Sequence, residues 1–185
     1  MTVEPIRDMK KIKAMQHCLK GKEDKKYYVL FNLGLNSGLR ISDMLPLKKS
    51  DVFTENGSFR EYLVLIERKT KKEKKIKLND SIRKTLKDFC KGMDHNAYLF
   101  PSTKGDYITR IQAYRVLKFS ANLLEIENFG CHSMRKTWGF WTYKASKYNI
   151  GLIMDTFNHS SASITLRYIG ISQESKDELY SLVQF

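Results

Sequence analysis

The chain has 185 residues, 42% of them hydrophobic, which suits one domain with a real core and excludes a disordered tail. A formal charge of +13 and a pI of about 9.6 favour a polyanionic partner, nucleic acid before anionic membrane. No apolar run approaches the roughly 20 residues of a membrane span, and the N-terminus lacks the apolar core of a signal peptide. Cys18, Cys90 and Cys131 are too scattered for a disulfide framework or a zinc site, so a reducing cytoplasm is expected.

Ile12, Met15 and Leu19 lie at helical spacing and predict a helix over 8–20, with Asp8 as N-cap and Gly21 as its stop. A second helix is predicted over 23–36, with Tyr28, Phe31 and Leu35 on its apolar side, broken at Ser37-Gly38. Arg40 stands just past that turn. A short helix carrying Asp43 and Leu45 follows and ends near Pro46. Over 60–78 the period changes. Tyr62, Val64 and Ile66 alternate with Leu63 and Leu65, which reads as a strongly buried strand. A turn near 70–73 leads into a second strand over 74–78, with Ile76 and Leu78 on one face. Six lysines between 69 and 77 make the hairpin tip very basic.

Asp80 reads as the cap of a helix marked by Ile82, Leu86 and Phe89. Residues 92–108 read as loop. Thr109 is expected to cap a helix through Leu124, with Ile111, Tyr114, Leu117 and Ala121 inward. Helices over 132–146, 150–157, 162–168 and 173–183 complete the chain. Trp138 and Trp141 are read mainly as core. The fold class is α+β, mainly helical with one small antiparallel hairpin, in a single domain over 1–185.

The chemistry concentrates in residues 132–168. His132 and Arg135 are three apart and share a helix face, where both can touch one phosphate. A surface helix with a stray histidine fits the same spacing. Lys136 and Lys144 read as solvated face or as backbone-phosphate contacts. Arg40 can give a phosphate two parallel bonds, or pair with Asp43 three residues on, or both. Lys69, where strand meets turn, can reach a leaving 5′ oxygen; it also fits a plain electrostatic footprint with Lys71, Lys72 and Lys74. Asn158-His159 ends a helix, and Asn tolerates the left-handed conformation such a break requires. His159 is then a donor to a phosphate oxygen, or a cap. Tyr168 fits packing equally well. A phenol has a pKa of about 10, so attack on a phosphodiester would need a base beside it and cations on the phosphate.

Taken together and in order, the pieces resemble the tyrosine recombinase, or phage integrase, family. LNSGLRISDMLPLKKSDV is similar to the first box, through Gly38, Arg40, Asp43, Leu47 and Asp51, with Ser37 in place of the usual threonine. HSMRK resembles the second box, with Lys136 in place of its second histidine. FNHSSASITLRY resembles the third, with Asn158 in place of the usual glycine. The resemblance covers nearly the whole chain after Asp8.

The resemblance implies a catalytic set of Arg40, Lys69, His132, Arg135, His159 and Tyr168. Tyr168 is the expected nucleophile of a 3′-phosphotyrosyl bond, Arg40, Arg135 and His159 its transition-state partners, Lys69 the acid for the 5′ hydroxyl and His132 the base. Asp43 is expected to support Arg40 from behind, and Lys71, Lys72, Lys74 and Lys136 to contact DNA. The family uses neither metal nor ATP, so no cofactor is expected. The partner is double-stranded DNA. The first box begins near residue 33, so no N-terminal clamp domain is expected. Leu179, Leu182 and Val183 make an apolar side that docks on a neighbouring subunit in a dimer or tetramer, or packs on its own domain. The implied setting is a bacterial or phage-encoded, nucleoid-associated recombinase in the cytoplasm. Type IB topoisomerase-like relaxation and a non-catalytic DNA-binding accessory protein are the rivals.

Overall fold

The computed structural model describes residues 3–171, and the helix expected over 173–183 lies outside them. Helix α1 spans Met9–Gly21, with the Asp8 carboxylate accepting from Lys10 N. Gly21 is the last helical residue rather than a left-handed stop, because the cap is an extended Lys22. Helix α2, Lys26–Ser37, begins three residues later than expected and buries Val29, Leu30, Phe31, Leu33 and Gly34. Apolar groups bury around most of its circumference because other helices pack on it from several sides. These are α1, α3 (Ile41–Met44), α4 (Asp80–Phe89), α5 (Arg110–Leu123) and α6 (Ser133–Ala145). Arg40 is the extended residue that starts α3.

Strands β1 (Tyr62–Ile66) and β2 (Glu73–Lys77) pair antiparallel, with Leu63 opposite Ile76. β1 is not buried on both faces: Leu63 is 0% exposed, Val64 49% and Ile66 59%. A two-stranded ribbon has the helical body behind one face only, so its other face meets water. Asn79, not Asp80, caps α4, its side chain accepting from Ile82 N. The stretch expected to be loop holds a second small hairpin, β3 (Pro101–Ser102) with β4 (Gly105–Tyr107).

Thr109 caps α5 through a reciprocal pair of bonds with Gln112. The inward face of α5 agrees with the expected one at Leu117 and Ala121 and differs at Ile111 and Tyr114. Ala113, Leu117, Ser120 and Ala121 are buried, while Ile111 and Tyr114 are exposed. Small residues let this helix approach α1 and α2 closely, which turns the larger Ile111 and Tyr114 outward. Helices α7 (Ile150–Phe157) and α8 (Ala162–Tyr168) follow α6. No helix among the described residues is long and apolar enough to cross a membrane.

The core has two parts joined by α6. Met134 belongs to the larger, with α1, α2, α4 and α5. Phe140 belongs to the smaller, with Ile153, Phe157 and Ile169. Trp138 packs against Phe157 at 5.4 Å between ring centroids, and Trp141 Nε1 donates to Ile6 O at 3.1 Å, so both act as core. Gly38 ends α2 at φ +62°, and a Cβ there would meet the Trp138 ring at 2.6 Å. A side chain at this point is therefore opposed both by the backbone and by the ring.

Gly38→Ala should cost about 2 kcal/mol from overpacking and left-handed strain. That corresponds to roughly 4–8 °C in Tm for a domain of this size. Thermal unfolding followed by circular dichroism measures it, and an unchanged Tm contradicts the packing described.

Candidate active site

The turn at Gly38 delivers two things to one point. Its carbonyl faces α6, and two residues later Arg40 projects from the start of α3. Arg40 Nη1 donates to Glu67 Oε1 at 2.7 Å and lies 3.9 Å from Asp43 Oδ2. Its Nε and Nη2 have no protein partner among the described residues, which leaves a donor pair for an incoming anion. The other Asp43 oxygen accepts from Arg68 N at 3.0 Å.

Arg135 is only 1% exposed. A charge so buried survives because its hydrogen bonds and a ring face replace water. Nη1 donates to Gly38 O at 2.6 Å, Nη2 to Phe157 O at 3.3 Å, and the guanidinium lies 4.2 Å over the Phe157 ring. Two of its five N–H groups are thus committed to the fold, and the guanidinium also faces the Tyr168 hydroxyl.

Tyr168, the last residue of α8, comes back to this point. Its hydroxyl lies 3.4 Å from His132 Nδ1, at the long end of hydrogen-bond range. Its ring packs edge-on to His159 at 5.0 Å and to Phe157 at 5.4 Å. Burial pushes the phenol pKa up, and the charges of Arg135 and Arg40 pull against it, leaving it raised. Desolvation at the pocket mouth, then the charges of Arg110, Arg135, Arg40 and Lys136, hold His132 below the ordinary histidine value. His159 is lowered in the same way, by burial and then by Arg135, Arg40 and Lys69. Both rings are therefore neutral near pH 7, as a base must be before it accepts a proton.

The backbone explains how His159 reaches its place. Asn158 ends α7 in the left-handed conformation at φ +55°, the geometry expected where the family pattern has glycine. His159 Nδ1 then meets Thr165 Oγ1 at 3.1 Å, and that hydroxyl, 0% exposed, also bonds Ser161 O. Thr165 fixes the ring and leaves Nε2 for an incoming group.

The lysines divide. Lys69, Lys71 and Lys72 are exposed on the turn between β1 and β2, and the Lys69 charge reaches His159. Lys74 is not a surface contact. Its ammonium donates to Thr156 O at 2.7 Å and lies 3.7 Å from Glu67, and burial with the charges of Arg135 and Arg40 brings it down to about 8 despite the pull of Glu67. Lys136 is not on a solvated face either. It is 8% exposed, donates to Val3 O at 2.7 Å and lies 5.1 Å over the Tyr168 ring. Alternation in β2 turns Lys74 inward with Ile76, and α6 is nearly enclosed over its first turns; neither is visible from charge density alone.

Sequence reasoning missed Glu67, Thr165 and Arg110. Glu67 is an acidic residue ending an apolar strand before a lysine-rich turn, a weak signal that existed. Arg110 gave none. With Lys118 it lines an open groove of about 630 Å³ that begins at His132. Among the described residues no group of three or more His, Cys, Asp or Glu is placed to hold a metal ion.

A family model described as the phage integrase family matches residues 7–175. The chain belongs to the phage integrase family. A probable integrase/recombinase, YoeC, of Bacillus subtilis (strain 168) is 41% identical over 181 residues, covering 97% of this chain and 96% of that protein. Among solved structures, the XerA recombinase superposes with a TM-score of 0.76 at 17% identity, over 99% of this chain and 66% of that one. The XerH site-specific recombinase, bound to a palindromic difH substrate after cleavage, gives 0.72 at 19%, over 97% and 53%. The chain thus spans about two-thirds of the one and half of the other, and at these identities the likeness is one of fold. This protein is a tyrosine recombinase by family, in the mainly helical fold with small antiparallel sheets that XerA shares.

The depressed histidines predict a pH dependence. A folded-state pKa below the unfolded value contributes stability that is complete above about 6.5 and lost as pH falls toward the folded value. Tm of the DNA-free protein should therefore fall from pH 7.5 to 5.0. The fall should be shallower in a His132→Asn, His159→Asn double variant. Equal slopes contradict the neutral assignment.

Proposed function

We propose that the protein cleaves and rejoins double-stranded DNA at specific sites, with Tyr168 as nucleophile acting in cis. The carrying observation is the Tyr168 hydroxyl beside His132 Nδ1, with the charges of its own Arg135 and Arg40 acting on the phenol. His132 takes the phenolic proton. The phenolate oxygen bonds to phosphorus and the P–O5′ bond breaks. The departing O5′ receives a proton from Lys69, leaving a 3′-phosphotyrosyl bond and a free 5′ hydroxyl. Attack by a 5′ hydroxyl from the partner strand runs the same steps backwards and rejoins the backbone.

Charge builds on the equatorial oxygens during the displacement. The open Nε and Nη2 of Arg40 and the uncommitted N–H groups of Arg135 are the donors this reading places on them, joined by His159 Nε2 once the negative charge of the incoming phosphate brings a proton onto it. Asp43 and Glu67 hold Arg40 from behind. Exposed Lys71 and Lys72 on the hairpin tip serve the DNA backbone, and Arg110 and Lys118 add cationic groups along the groove that begins at His132. Lys74 and Lys136 belong to the interior of the site instead. Self-association on DNA through Leu179, Leu182 and Val183 remains part of the reading, supported by their helical spacing alone.

A nicked suicide substrate, whose cleaved end diffuses away, tests the reading on a denaturing gel. Wild type should accumulate a covalent protein–DNA adduct and Tyr168→Phe should form none. An adduct with Tyr168→Phe contradicts the assignment. Lys69 has its own test. Lys69→Ala should slow cleavage of ordinary DNA about 10²- to 10⁴-fold, the usual worth of a general acid. It should cut a 5′-bridging phosphorothiolate, whose sulfur leaves without a proton, at nearly the wild-type rate. Equal loss on both substrates would assign Lys69 to binding.

A further inference from the structure

Glu67 is the last residue before the basic turn between β1 and β2, and it is 0% exposed. Its two oxygens touch four different segments of the chain. Oε1 accepts from Arg40 Nη1 at 2.7 Å, at the start of α3, and lies 3.7 Å from Lys74 Nζ on β2. Oε2 accepts from Thr70 Oγ1 at 2.7 Å, within the turn that carries Lys69, and from Asn158 Nδ2 at 3.2 Å, beside His159. Its backbone joins in, since Glu67 N donates to Lys72 O and Glu67 O accepts from Lys71 N, both at 2.9 Å.

A buried carboxylate with this many donors is a rigid object. Burial pushes its pKa up, but the bonds from Thr70 and Arg40 and the Lys74 charge more than reverse that, so it stays ionised. Asp43 is the weaker partner of Arg40: its nearer oxygen is 3.9 Å away and has no hydrogen bond. The orientation of the Arg40 guanidinium, and so the direction of its open Nε and Nη2, is set by Glu67.

We infer that Glu67 is a positioning residue for strand cleavage, acting through Arg40: its carboxylate takes one guanidinium edge so that the other meets the scissile phosphate. The inference rests on the proposed phosphotyrosyl chemistry, because it is the phosphate that the open edge would meet. Thr70, Asn158 and Lys74 act as stays that keep the carboxylate still. Glutamine at this position keeps the shape and an oxygen acceptor but removes the charge that orients Arg40.

The test is single-turnover cleavage of a nicked suicide substrate over a range of DNA concentrations, with wild type, Glu67→Gln, Arg40→Ala and the double variant. At saturating DNA, Glu67→Gln should cleave about 10- to 100-fold more slowly, the cost of a misplaced catalytic group. Its apparent DNA affinity should stay within about threefold of wild type, since a positioning defect appears in the rate constant. The double variant should be about as slow as Arg40→Ala alone, because a residue acting through another has nothing further to lose. Fully multiplicative losses, or a Glu67→Gln defect that vanishes at high DNA, overturn the inference. So does wild-type activity in Glu67→Gln. If Glu67→Gln does not fold, Glu67→Asp, which keeps the charge and shortens its reach, is read by the same criteria. Failure of wild type to form any adduct overturns the phosphotyrosyl reading, and this inference with it.

Discussion

Everything at the site depends on burying one guanidinium. Arg135 has to give up water almost completely, and the protein replaces it with the Gly38 carbonyl, the Phe157 carbonyl and the Phe157 ring. Hydrogen bonds to a charged group contribute about 1.5–3 kcal/mol each, and an unpaired buried charge would cost more than that. These acceptors lie at the ends of α2 and α7, so satisfying Arg135 brings both helix ends to α6. The left-handed turns at Gly38 and Asn158 follow from the same requirement, since each helix must stop where its carbonyl or next side chain is needed. Arg40 and His159 stand one or two residues beyond those turns. Packing Arg135 therefore places two other functional side chains.

The second constraint is charge balance. Arg40, Arg135 and Lys74 face Glu67 and Asp43 in the same enclosed region. The balance leaves an excess of positive charge in low dielectric, the condition under which an anion is held most strongly. Burial first, and then this positive charge, keep the two nearby histidines neutral and bring the Lys74 ammonium down to about 8. On the proposed reading, a phosphodiester entering this pocket supplies the missing negative charge.

How much of this was legible in the sequence depended on sequence separation. His132 and Arg135, one helical turn apart, and the Gly38–Arg40 turn could be read from local spacing, as could the left-handed role of Asn158. Helices α1, α2, α7 and α8 emerged near their expected places because capping and breaking residues such as Asp8, Ser37-Gly38, Asn158 and Ser161 mark their ends. The inward face of α5 was read correctly at Leu117 and Ala121 but not at Ile111 and Tyr114, because large apolar residues were taken as buried where close helix approach selected Ala113 and Ser120. Val64 and Ile66 looked buried because nothing local says that a sheet has only two strands. Glu67 left only a weak local signal because its partners, Arg40 and Asn158, lie 27 and 91 residues away. Lys74 and Lys136 were read by charge when their register had already turned them inward.

The central claim is that one tyrosine among ten is brought into contact with the cationic pocket and does the chemistry. Mass spectrometry of the covalent adduct tests it most directly, after nuclease and protease digestion leave a short nucleotide stub on the protein. The account predicts the stub on the peptide containing Tyr168 and on no other. A stub on a different tyrosine, or on any other side chain, would contradict it.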